Sequence, residues 1–170
     1  MVDYTLIIAY SGLALGASFL CSILEAVLLS TSHGHIAALK DTHPKVSDLW
    51  SQWKDDPERP LTAILTLNTI AHTVGALGVG AEVQTQFGGG MIVHVAAAVL
   101  TLAILLLSEI LPKTIGALYW RRLTIPSARI MKAMMFALWI IVKPIEITRS
   151  LLPAVETETC LLYTSDAADE

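Results

Sequence analysis

Ser108-Glu109-Ile110-Leu111-Pro112-Lys113 is the stretch on which the reading of this chain turns. The run before it, Met91 to Leu107, holds no acid, lysine or arginine. A carboxylate, a helix-breaking proline and a lysine then arrive within six residues. Pro112 has no backbone N–H, and in an α-helix its ring crowds the carbonyl four residues back, that of Ser108. A helix continued through Pro112 would leave that carbonyl free beside the Glu109 carboxylate. In hydrocarbon both groups are costly unless something satisfies them. A bound cation does so, and the stretch reads as half of an ion site.

Composition supports a membrane setting. Of 170 residues, 54% are hydrophobic and 15% are charged, against about 25% charged in soluble proteins. Tyr4 to Leu29 is a first long apolar run, broken by serines and one charge, Glu25. Leu61 to about Val83 is a second, carrying Asn68, His72 and a Gly75, Gly78, Gly80 series suited to close helix packing. Gln84 to Gly90 reads as a polar turn, and Met91 to about Leu118 as the third span, ended by Tyr119-Trp120-Arg121-Arg122. At 1.5 Å per residue each run crosses a hydrocarbon core of roughly 30 Å. The expected fold is an all-α integral membrane domain. It has three transmembrane helices plus juxtamembrane helices on the cytoplasmic side, with the N-terminus outside.

The orientation comes from the basic residues. Four of the eleven lie in 31–60 and seven from Lys113 onward, with none before the first span or between the second and third. The positive-inside rule then puts both basic segments in the cytoplasm. Residues 31–60 read as a water-facing connection with short helices on the membrane, where Trp50 and Trp53 suit the interface. The apolar run 133–142 is bracketed by Lys132 and Lys143. Ten residues reach only about 15 Å, so a helix on the inner leaflet or against the bundle is favoured over a fourth crossing. Residues 1–158 form the expected ion-transport domain. Residues 159–170 resemble a translated library adapter and read as a non-native tail, and the natural chain is expected to continue beyond about residue 158.

The polar residues of the spans share a depth. Ser22 lies about eight residues above Ser30, Asn68 about seven above Leu61 and Glu109 about nine above Leu118, all roughly 10–14 Å inside the cytoplasmic boundary. They share faces too. Ser11, Ser18, Ser22 and Glu25 form one stripe; Asn68, Ala71, His72 and Gly75 form a second; Thr101, Ser108, Glu109, Pro112 and Gly116 form a third. Hydroxyls, an amide, carboxylates and a freed carbonyl are hard ligands suited to Mg²⁺, Ca²⁺, Mn²⁺ or Na⁺. The candidate metal ligands are Ser18, Ser22, Glu25, Asn68, Ser108 and Glu109, with Pro112 as a structural kink. His72 reads as a packed or hydrogen-bonded histidine rather than a ligand. Each residue also has a plainer role: serines bonding their own helix, Asn68 gluing helices, and Glu109 paired with Lys113 one turn on. No nucleophile–base pair or nucleotide loop is visible, so neither an enzyme nor a nucleic-acid partner is expected.

Ser108-Glu109-Ile-Leu-Pro112-Lys113 resembles the Gly-Glu-x-x-Pro-Lys signature in the transmembrane domain of the cyclin-M/CorC magnesium transporters. Ser22-x-x-Glu25-x-x-x-x-Ser30 is similar to that family's first-helix pattern, and Leu67-Asn68-Thr69 to its second-helix Gly-Asn-Asn. The resemblance implies a homodimer in the inner (plasma) membrane that exports Mg²⁺ in exchange for Na⁺. It also implies cytoplasmic regulatory modules after the membrane domain. Ser108 stands for the usual glycine and Thr69 for the second asparagine, each keeping an oxygen. Two other readings fit the same residues: a membrane anchor and dimerisation domain for a cytoplasmic sensor, or a carrier of Na⁺ or H⁺ with His72 and Glu25 as a relay.

Overall fold

In a computed structural model the described residues are 4–140 and 143–144. They form six α-helices and one π-helical segment: α1 Thr5–Ser30, α2 His33–Leu39, α3 Pro44–Asp55, α4 Glu58–Phe87, α5 Met91–Ala103, the π-helix Ile104–Ile110 and α6 Leu111–Ala137. Three helical stretches are long and apolar enough to cross a membrane: Thr5–Ser30, Glu58–Phe87 and the continuous Met91–Ala137. The expected three-span, all-α fold is the one observed. The tail 159–170 and the last two residues of the run 133–142 lie outside the described residues.

Local chemistry sets the element ends. Thr31 closes α1 with both its N–H and its hydroxyl on the Val27 carbonyl, at 3.0 and 2.7 Å. Ser32 caps α2, its side chain accepting from the His35 N–H. Pro44 opens α3, where a missing N–H costs nothing. The second span runs further than its hydropathy implies. Gln84 to Phe87 remain helical, and the turn is confined to Gly88–Gly90. Gly88 and Gly90 hold φ of 78° and 89°, a conformation that excludes most side chains.

The connection 31–60 folds onto the bundle. Trp50 and Trp53 are not interfacial, as expected from composition, but buried. They stack edge to face at 5.4 Å and join Leu24, Leu28, Ile64, Ala128 and Met131 in one core. The Trp50 indole N–H donates to the Thr124 carbonyl at 3.0 Å, tying α3 to α6. The reason is the bend of the third span. Tyr119 departs from helical geometry (φ −106°, ψ 15°), so the helix beyond it turns back over α1 and α3. Met131, Met134 and Leu138 are buried there, so one side of the described part of 133–142 packs on the bundle. Lys54 completes the clasp, donating to the Leu29 carbonyl in the last turn of α1 at 3.3 Å. Burial lowers the pKa of its ammonium group.

Trp50→Phe keeps the ring's packing and deletes the N–H. It is expected to cost about 1–2 kcal/mol, the penalty of one lost buried hydrogen bond, read as a lower thermal midpoint of the purified chain. An unchanged midpoint would show that α3 is held by packing alone.

Candidate cation site between the three long helices

Contacts between α1 and α4 fix their register. A Cβ on Gly78 would meet the Tyr10 ring, and one on Gly75 would meet Ala14. One further turn along, His72 Nε2 lies 2.7 Å from Ser18 Oγ, one donating and the other accepting according to the imidazole tautomer. As residue number falls in α4 it rises in α1, so the two helices are antiparallel. The next turn of that register sets Asn68 across from Ser22.

The third span approaches α1 from the other side and parallel to it. Gly116 permits this. A Cβ there would lie 2.8 Å from Ala26 Cβ and 3.0 Å from the Ile23 carbonyl. A turn earlier, Lys113 Nζ meets Glu25 Oε2 at 3.1 Å. Glu109 Oε1 lies 3.9 Å from His72 Nε2. Thus Ser18, His72 and Glu109 come together from three helices, with Ser22 and Asn68 one turn beyond.

The oxygen atoms differ in whether they have partners. Ser22 Oγ and Asn68 Oδ1 are buried, with no hydrogen-bond partner among the described residues. A buried polar atom left unmatched costs about 1–3 kcal/mol, so two that face each other across a helix interface form a place for a ligand. Ser18 is buried and already engaged by His72, although a hydroxyl retains a lone pair. Ser108 is buried in the π-helical turn, which packs on α1. Among the described residues no three His, Cys, Asp or Glu side chains gather. A cation here therefore depends on hydroxyl, amide and carbonyl oxygens beside one carboxylate.

The π-helix alters the geometry expected at Pro112. Leu111 N–H bonds the Leu106 carbonyl five residues back, and α-helical bonding resumes after it. Pro112 cannot donate in either register, so the deprived carbonyl is that of Leu107 in the wide register and Ser108 in the narrow one. The wide turn also shifts the phase of the helix. Thr101, expected on the stripe of Ser108 and Glu109, is instead exposed and bonds its own Ala97 carbonyl. Lys113 pairs with Glu25 rather than with Glu109 one turn back, the plainer role weighed for Glu109. Glu25, expected to bind a cation, is held by that lysine. Thr69 is exposed, and its hydroxyl donates to the Leu65 carbonyl of its own helix at 2.8 Å.

His72 is hydrogen-bonded, as its reading as a packed or hydrogen-bonded histidine expects; what sequence reasoning missed is its closeness to Glu109. Its position four residues after Asn68 was the available signal, but proximity to Glu109 depends on the third span. Ser18 and His72 form a hydroxyl–imidazole pair that the sequence does not display. It is not the relay of a hydrolase, in which the carboxylate holds the opposite ring nitrogen. Here Glu109 faces the same Nε2 as Ser18.

A model of the cyclin M transmembrane N-terminal domain matches residues 10–166. The UPF0053 protein sll1254 of Synechocystis sp. is 30% identical over 113 residues, which are 66% of this chain and 32% of that protein. The chain thus spans about a third of the length of that relative. No solved structure matches the chain. With three membrane-length helices and a family match over most of its residues, this is a multi-pass membrane protein that belongs to the cyclin M transmembrane domain family.

Proposed function

We propose that this domain is a carrier, not an enzyme, that moves Mg²⁺ through a site built by α1, α4 and the π-helical turn. The observation that carries this reading is the pair of buried, unpartnered oxygens, Ser22 Oγ and Asn68 Oδ1, in the register that brings Glu109 to Ser18 and His72. Mg²⁺ needs near-octahedral oxygen ligands at about 2.0–2.1 Å and sheds water reluctantly. Fixed oxygens from several helices, with one carboxylate for charge, meet that demand. Ser22, Asn68 and Glu109 are the ligands, Ser18 and Ser108 extend the set, and Glu25 with Lys113 braces the first span against the third.

Residues 31–60 and those from Lys113 onward face the cytoplasm, by the placement of basic residues. Family membership supports export coupled to Na⁺ entry by a homodimer in the plasma membrane, with regulatory modules following this domain. Calorimetric titration of the purified chain with Mg²⁺ tests the site. Saturable heat that Na⁺ at equal concentration does not reproduce is expected. No heat with Mg²⁺ would overturn the reading.

A further inference from the structure

After the bend at Tyr119, α6 has two unlike faces. Thr124, Ser127, Ala128, Met131 and Met134 are buried against the bundle. Arg122, Arg129 and Lys132 are exposed on the other side, and Lys143 is exposed beyond the helix end. Residues 114–144 contain no acid at all, and among the described residues none of these four cations has an acidic partner. Between them stand large apolar side chains in the open. Phe136 is 85%, Trp139 52% and Ile140 76% exposed. Lys143 Nζ sits 4.5 Å from the centre of the Trp139 ring.

We propose that this face lies on the membrane surface and binds anionic lipid headgroups. The inference rests on the membrane setting argued above. Clustered lysines and arginines just past a spanning helix are attracted to an anionic leaflet. Trp139, Phe136 and Ile140 enter the boundary between headgroups and acyl chains, and the cations reach outward to phosphate. A second copy of the chain is a poorer occupant, because it would set these cations against their own kind. An acidic soluble partner offers the charge but leaves the apolar side chains uncovered so close to a span. The lipid surface supplies both.

The test uses the full chain in nanodiscs of phosphatidylcholine, with Trp139 fluorescence taken as the difference between the wild type and Trp139→Phe. A minor fraction of phosphatidylglycerol with brominated acyl chains is expected to quench Trp139 at least about twofold more than the same fraction of brominated phosphatidylcholine. In R129Q/K132Q/K143Q the two lipids should quench alike. Equal quenching by both lipids in the wild type would overturn anionic selection. Quenching by neither would overturn the membrane contact and leave the face to protein or water. The readout needs no Mg²⁺ and does not depend on which side faces the cytoplasm, so its failure is distinct from failure of the transport reading.

Discussion

Glu109→Gln and Asn68→Ala are each expected to abolish Mg²⁺ movement across reconstituted vesicles while the chain remains folded. The glutamine keeps the size of Glu109 and removes its charge, which Lys113 does not neutralise because it is paired with Glu25. A divalent ion in a low-dielectric bundle depends on that charge more than on any single dipole. Asn68→Ala removes an oxygen that has no other partner, so the apo protein loses little. The loss falls on the bound state, and Mg²⁺ affinity should drop at least about tenfold, the scale on which even indirect supports of metal sites act. Thr69→Ala is the internal control. Its side chain is exposed and bonds its own helix at the Leu65 carbonyl, and binding and flux should not change. Full Mg²⁺ flux in Glu109→Gln would leave the domain as a membrane anchor. An effect of Thr69→Ala equal to that of Asn68→Ala would mean that the second span is rotated from the position described.

The second large effect is structural. Gly116→Val is expected to separate the first and third spans. The added carbons meet Ala26 Cβ and the Ile23 backbone, and a backbone carbonyl cannot turn aside as a long side chain can. Overpacking of this kind costs about 1–3 kcal/mol. It should lower the thermal midpoint and, by moving Glu25 from Lys113 and Glu109 from Ser18, weaken Mg²⁺ binding too. Gly80→Val tests whether the cause is contact or merely a lost glycine, because a Cβ at Gly80 meets nothing within 4 Å. That variant should melt with the wild type. If both variants melt alike, close approach at Gly116 is not what holds the spans.

The number and order of the spans were legible without coordinates, because they follow from hydropathy. Ser22 and Asn68 stood out for the same reason. Each is a polar residue on a stripe with small ones at a shared depth, and the sequence alone did not separate an open oxygen from one that glues helices. Trp50 and Trp53 were misread because composition cannot distinguish a ring at the membrane boundary from one under a helix that doubles back. Thr101 was misread because a threonine that bonds its own helix looks like one that faces a cavity. Between α5 and α6 the π-helical turn added a phase shift that no period of 3.6 contains.

The amino-acid order by itself determined that this chain forms three membrane-length helices and that hard oxygen groups lie at one level within them. Those facts depend on solvent transfer and on rise per residue, which are local. Only the tertiary structure decided which oxygens are committed. Lys113 binds Glu25 rather than Glu109, His72 engages Ser18, and Ser22 with Asn68 is left unmatched. Such pairings depend on helix rotation and register between residues far apart in the chain. Close packing at Gly75 and Gly116 sets that register, and no local periodicity encodes it.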